Sequence, residues 1–355
     1  MVGLNKVIPR GLTTNEVLVL RNLLARTDEP ETNRIRNLRI PRSTYLEIKQ
    51  RVYSVGLLED RYVPSPLVLG YQGVSFLLTR PFAESRESTA EALCSFPGSV
   101  LVWSGIQTVL GVVFHRTVEE MARFRSSVEG GNSFGRGLIH LEILSNQPLV
   151  PVYFDFEGAW SHFAGAEGVL RYPRALPYAK NSRGHGISNK ALIDLWSLIQ
   201  RPFGDEASHR KSHLIGPATL PRSQRRLLAN GYVEWRTFLS VQRIPDYAGR
   251  DISDVVFLTG QVRREDGLYA LFRDLAETCG VFPFLLASDG NSVIVGLLAA
   301  RRGSTGREST ASNPRAAVFP IVSNHLTGME VIREPISLLK VHRSHRYDCL
   351  APQAE

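Results

Sequence analysis

The side chains best equipped for chemistry in this sequence are polar and basic ones set at helical spacing in two places. Residues 42–51 carry Arg42, Ser43, Thr44, Glu47, Gln50 and Arg51 away from an apolar side made by Tyr45, Ile48 and Val52. Residues 222–226 carry Arg222, Ser223, Arg225 and Arg226 beside Leu220, Leu227 and Leu228, shortly after a stretch containing His209, Arg210, Lys211 and His213. Arg, Lys, Ser, Thr and Gln are the side chains that reach phosphates and base edges in the DNA major groove. The competing reading is a solvated helix face of ordinary composition. A formal net charge of +8 leans towards a polyanionic partner, because clustered cations gain free energy by releasing counterions condensed on phosphates.

Other candidate chemistry is thinner. The sequence has no phosphate-cradling glycine motif, no zinc-type cysteine pair and no nucleophile elbow, so no catalytic residue, metal or cofactor is expected. His342, His345 and Cys349 have a spacing that a metal could use, but they lie in a basic tail without a second ligand pair, which structural zinc requires. Asp155 and Glu157, two apart on a strand, would share a face and bind solvent or a basic neighbour more readily than act as an acid and base. His115 and His140 fall on expected strands, where a histidine is usually packed and hydrogen-bonded. Three cysteines cannot make a fully paired disulfide framework, and Cys94 and Cys279 read as packing thiols at equivalent helix positions.

The elements that must hold the two basic segments repeat along the chain. Gly56-Leu57-Leu58-Glu59-Asp60-Arg61 recurs as Gly231-Tyr232-Val233-Glu234-Trp235-Arg236, and Val74-Ser75-Phe76-Leu77 as Val255-Val256-Phe257-Leu258, about half of the 355 residues apart. Duplication on this scale implies a pseudo-twofold molecule in which one copy packs on the other as subunits do in a dimer. Thr13-Thr14-Asn15-Glu16 has capping-box spacing and predicts a helix start. A short helix around Arg34–Leu38 and a third opened by Pro41 and stopped by Gly56 follow. A strand from Leu57 to Val63 completes a winged helix-turn-helix outline. In the second copy Ser188 caps a helix bearing Leu192, Leu195, Trp196 and Ile199. A second helix is expected over 205–214 and a third between Pro217 and Asn230. Tyr232–Gln242 reads as a longer wing ribbon than the first copy has.

Behind each head the pattern alternates. Strands at 72–79, 99–103, 108–115 and 138–144 with helices at 85–95 and 118–128 give βαββαβ, a ferredoxin-like sandwich whose open sheet face needs a partner. The second copy supplies strands at 254–260, 281–287 and 292–300, a helix at 265–279, and an Asp289-Gly290 hairpin turn. After Arg302 the likeness lapses: 303–314 reads as a mobile loop in place of a helix, and 318–322 and 332–341 receive no assignment.

A winged helix-turn-helix joined to βαββαβ resembles the Lrp/AsnC feast-or-famine regulators. Their strand, glycine turn and apolar strand are similar to Val102-Trp103-Ser104-Gly105-Ile106-Gln107-Thr108-Val109-Leu110, and their following helix to Thr117-Val118-Glu119-Glu120-Met121-Ala122-Arg123-Phe124. The resemblance covers most of 11–145 and, less completely, 187–302. It implies an α+β chain with winged helix-turn-helix units at 11–66 and 184–248. Ferredoxin-like units at 67–147 and 249–345 and a joining segment at 148–183 complete an intramolecular pseudo-dimer. It further implies a regulator of double-stranded DNA and a small effector, such as an amino acid, near the turns at Gly105 and at Asp289 and Gly290. Siroheme decarboxylases are similar to the same family, so an enzyme that binds a tetrapyrrole through His115, His140 and Arg116 is the alternative. No apolar run is long enough to cross a bilayer and the first ten residues lack the apolar core of a signal peptide; a cytoplasmic location is expected.

Overall fold

The computed structural model describes residues 13–24, 31–64, 71–130, 134, 136–144, 154–155, 189–199, 221–229, 232–240, 243–244, 247, 252–263, 270–271, 274–275, 281–289, 291–300 and 314–343. Among the described residues the first elements are three helices, α1 (Thr14–Leu24), α2 (Glu31–Asn37) and α3 (Arg42–Ser54). The capping box is formed as its spacing predicts. Glu16 N–H donates to Thr13 Oγ1 at 3.2 Å, and Thr13 N–H donates to Glu16 Oε2 at 2.9 Å. Helix α3 ends in a Schellman motif: Gly56 sits at φ +69, Leu57 N–H donates to Val52 O at 2.9 Å and Gly56 N–H to Tyr53 O at 3.0 Å. Glycine takes this left-handed φ without the Cβ clash other residues meet.

The strand that follows, β1 (Leu58–Pro64), does not make a wing with its own head. It pairs antiparallel with β7 (Val233–Leu239), which follows the third helix of the second half. Both strands span seven residues, so the second is not the longer ribbon that its sequence implied. A lone strand would leave a row of backbone groups unpaired, and the matching strand of the other half satisfies them. The register places Arg61 opposite Arg236 at the centre. Those two residues are also equivalent in the sequence repeat, so the ribbon has the self-complementary register of an isologous dimer contact.

Two five-stranded antiparallel sheets follow. The first contains β2 (Gly73–Arg80), β3 (Ser99–Ser104), β4 (Val109–His115) and β5 (Arg136–Leu144), with α4 (Arg86–Ser95) and α5 (Val118–Gly130) between. With β12 (Lys340–Arg343) at one edge, its order, β12-β3-β4-β2-β5, has the ferredoxin-like arrangement at its heart. The second holds β6 (Phe154–Asp155), β8 (Ile252–Val262), β9 (Val281–Ser288), β10 (Ser292–Ala300) and β11 (Leu326–Pro335) in the order β11-β8-β10-β9-β6. One end strand of each order comes from the other half. After finishing the first sheet the chain lays β6 (Phe154–Asp155) along β9, and after finishing the second it lays β12 (Lys340–Arg343) along β3. Each half therefore covers one open edge of the other.

Helix pairing within the second head is described at α6 (Asn189–Ile199) and α7 (Arg222–Ala229), whereas the helix expected over 205–214 lies outside the described residues. A further helix, α8 (Pro314–His325), precedes β11 and contains Pro320. A helix thus stands ahead of the last strand of the second copy, over residues that include 318–322, which received no assignment from the sequence. Residues 303–313 lie outside the described residues.

Helices α4 and α5 cover one face of the first sheet, burying Leu77, Ala90, Leu93, Val102, Val113, Phe124 and Val128 in one cluster. The opposite face joins a larger cluster in which Phe76, Leu101, Trp103 and Val112 share a core with Phe257, Leu285, Val295 and Leu297 of the second sheet. Apolar residues on both faces explain why β2 reads Val-Ser-Phe-Leu-Leu rather than as a strict alternation. The second head has its own core of Leu195, Leu198, Leu227 and Val233, and Tyr62 of β1 is buried within it. Ribbon and heads are consequently built together.

Candidate nucleic-acid interface

Helix α3 buries Tyr45, Ile48, Val52 and Tyr53. Its other side is open: Arg42, Ser43, Glu47 and Gln50 are exposed, Leu46 is 43% exposed, and Thr44 is half-buried. Helix α7 buries Gln224 and Leu227 while Arg222, Ser223, Arg225 and Arg226 are exposed. Gln224 Nε2 donates to Ser197 Oγ of α6 at 3.0 Å, which fixes the helix on its neighbour. Both helices are opened by the same tripeptide, Pro41-Arg42-Ser43 and Pro221-Arg222-Ser223. In each case the proline carbonyl accepts the N–H four residues on, from Tyr45 at 3.0 Å and from Arg225 at 2.9 Å. Proline has no N–H to leave unpaired at a helix start, so it fits just before the first turn. The second helix is shorter than the span between Pro217 and Asn230 allowed, because it begins only after Pro221.

Arg51 does not belong to this open face. Its guanidinium Nη1 lies 3.2 Å from Glu16 Oε1, and the Glu16 side chain is only 3% exposed. Tyr247, from the segment after β7, donates its hydroxyl to the same Oε1 at 3.0 Å. Position 51 lies at the flank of α3 next to the core residue Val52, where the buried capping carboxylate of α1 meets it. Arg210 and Lys211 lie outside the described residues. Leu46 escapes a sequence-based reading of this face, because an apolar side chain among polar ones carries no signal of its own.

The two turns expected to take an effector differ. In the first, Gly105 N–H donates to Thr108 O at 2.8 Å, and Gly105 O accepts from Arg86 Nη1 at 2.9 Å. The turn is already filled by Glu334 of β11. Its Oε2 accepts from Ile106 N–H at 2.7 Å, and its Oε1 accepts from Gln107 N–H and from Thr108 Oγ1, both at 2.8 Å. Glu334 is 0% exposed. In the second turn Asp289 is exposed, and its Oδ1 accepts from Asn291 N–H at 2.9 Å and Ser292 N–H at 2.8 Å. Gly290 lies outside the described residues.

His115 and His140 sit on the helix-covered side of the first sheet, with ring centroids 5.2 and 5.5 Å from Phe124. His115 Nε2 is 2.8 Å from Ser75 Oγ. Burial lowers the His115 pKa to about 4, with His140 adding to the effect, and burial followed by the Arg125 charge lowers His140 to about 4. They are packed residues, as strand histidines usually are. Arg116 stacks on Tyr71, 5.5 Å from the ring centroid. Cys94 is half-buried and unpaired by any disulfide, and burial raises its pKa. His342 Nε2 lies 2.7 Å from Ser104 Oγ, while His345 and Cys349 lie outside the described residues. Among the described residues there is no group of three or more potential metal ligands, and no helix is long and apolar enough to cross a membrane.

No protein-family model matches the sequence, and no curated protein matches it. Among solved structures the chain is similar to the siroheme decarboxylase NirDL, at 10% identity over 94% of this chain and 93% of that one, with a TM-score of 0.41. It is also similar to AsnC of E. coli, at 14% identity over 39% of this chain and 95% of that one, TM-score 0.27. A transcriptional regulatory protein of Pyrococcus furiosus, a member of the AsnC family, is 17% identical over 39% of this chain and 92% of that one, TM-score 0.28. All three scores are below 0.5; the strand orders and the exchanged edges stand on their own hydrogen bonds.

Proposed function

We propose that the chain is a double-stranded DNA-binding transcriptional regulator in which two fused halves act as an intramolecular pseudo-dimer. The observation that carries this reading is the pair of exposed polar and basic helix faces, Arg42, Ser43 and Gln50 on α3 and Arg222, Ser223, Arg225 and Arg226 on α7, tied together by a ribbon centred on Arg61 and Arg236. Two reading helices related by a local twofold meet successive major grooves of one duplex face, about 34 Å apart. Because the two faces differ in sequence, the preferred site is an imperfect palindrome.

In this reading the heads are residues 11–66 and 184–248, the sheet domains 67–147 and 249–345, the joining segment 148–183, and the location cytoplasmic. A small effector such as an amino acid is part of the proposal, and of the two turns the one at Asp289 is exposed. The test is binding of the purified chain to sheared genomic duplex, followed by footprinting of the retained fragments. Protection of two unequal half-sites one helical turn apart, with log affinity falling linearly against log salt, supports the proposal. A protein that retains no duplex but develops a Soret band on adding haem replaces it with the tetrapyrrole enzyme, the reading that the NirDL similarity would suggest.

A further inference from the structure

We infer that Arg39, in the turn between α2 and α3, binds a backbone phosphate at the edge of the groove that α3 reads, and that the second head has no counterpart. This contact presupposes the DNA-binding reading and lies outside both basic helix faces. Among the described residues Arg39 is the one non-glycine residue with a positive φ, at 54°. A left-handed φ crowds the Cβ of any residue that has one, and the turn of a helix-turn-helix often contains glycine, which escapes that clash. The core on either side fixes the conformation. Ile35 and Ile40 are buried, Leu38 packs against the same cluster, and Arg39 N–H donates to Arg36 O at 3.2 Å. These contacts account for the backbone but not for the side chain, because glycine would satisfy each of them without strain. An arginine held at a disfavoured φ points to a use for its guanidinium.

The charge around the turn identifies that use. Arg36, Arg39 and Arg42 follow one another at three-residue spacing and are all exposed, and among the described residues none of them is paired with a carboxylate. Residues 32–46 hold four arginines and no acidic residue. In a helix-turn-helix the start of the second helix enters the major groove while the first helix crosses the backbone, so the turn between them lies over the phosphates that border the groove. A guanidinium there meets a phosphodiester, which sets register and adds affinity without reading sequence. The second head differs at this place. Aligning Pro41-Arg42-Ser43 with Pro221-Arg222-Ser223 puts Leu214, Gly216 and Thr219 where the first head has Arg34, Arg36 and Arg39. The first head therefore grips a phosphate that the second leaves to solvent.

The experiment measures binding of the full chain, Arg39→Gly and Arg39→Lys to a labelled random-sequence duplex across a salt series, with thermal unfolding of each protein. A random duplex suffices because phosphate contacts carry no sequence information. In Arg39→Gly the slope of log affinity against log salt is expected to fall by about one, the share of a single phosphate. Its Tm is expected to stay at or above that of the wild type, since glycine takes the left-handed φ freely. Arg39→Lys keeps the charge and is expected to keep the slope. An unchanged slope in Arg39→Gly overturns the contact and leaves the DNA-binding reading standing. A slope lost equally in Arg39→Lys overturns it as well, and so does a Tm that falls together with the slope in Arg39→Gly, because the arginine then serves the fold. A wild-type chain that retains no duplex removes the DNA-binding reading and this contact with it.

Discussion

Glu16 shows how a single carboxylate can serve several levels of structure. It begins as the reciprocal partner of Thr13 in a local cap and ends as the acceptor for Arg51 of α3 and Tyr247 of the second half. Removing one partner of a buried charge costs more than the pair itself contributes, because the remaining charge is left in a poor solvent. Arg51→Ala is therefore expected to lower stability by about 1–3 kcal/mol, below the full penalty for a lone buried charge since Glu16 keeps the Thr13 and Tyr247 donors. Urea unfolding would show a reduced midpoint, with duplex affinity at fixed salt close to wild type. A large affinity loss without a stability loss would return Arg51 to the contact face.

At the scale of elements, α3 and α7 present unequal surfaces on equal supports. Arg42→Ala and Arg225→Ala are each expected to weaken duplex binding and to reduce the slope of log affinity against log salt by about one for each phosphate left without its cation. Gln50→Ala is uncharged, so it should leave that slope alone while relaxing discrimination within one half-site; titrations against matched and mismatched duplexes would separate the two effects. The exchanged strands make a second prediction. β12 covers the β3 edge, and without residues 336–355 that edge presents unpaired N–H and C=O groups. The truncated chain is expected to lose stability and to self-associate in size-exclusion chromatography, whereas a monodisperse species of unchanged midpoint would show that β12 contributes nothing.

For the whole molecule, folding is expected to depend on pH through two histidines placed under α5. Both have folded pKa values lowered to about 4, against roughly 6.5 in an unfolded chain. Between those values the unfolded state binds more protons, so stability is full above pH 6.5 and falls as pH drops towards 4. Each ring contributes on the order of 3 kcal/mol across that window. Urea unfolding at pH 7.5 and pH 5 should differ accordingly, and His140→Phe, which keeps a ring against Phe124, should flatten the dependence. An unchanged pH profile in that variant would place the acid sensitivity elsewhere.

What residue order determined by itself is whatever periodicity and punctuation encode. The Thr13–Glu16 cap, the α3 face closed by Gly56, the βαββαβ order over 73–144 and the duplication are all local patterns, and local patterns survive without knowledge of neighbours. Helix α8 was not legible because Pro320 reads as a break where packing tolerates it inside a helix. Tertiary structure alone decided which strand meets which edge: β1 with β7, β6 with β9, β12 with β3. It also decided that Arg51 turns to Glu16 and that Glu334 fills the turn at Gly105. Backbone groups on an open edge and donors in an anion-shaped turn accept any partner of the right chemistry. The choice among such partners falls to chain reach and burial, which no short window of sequence contains.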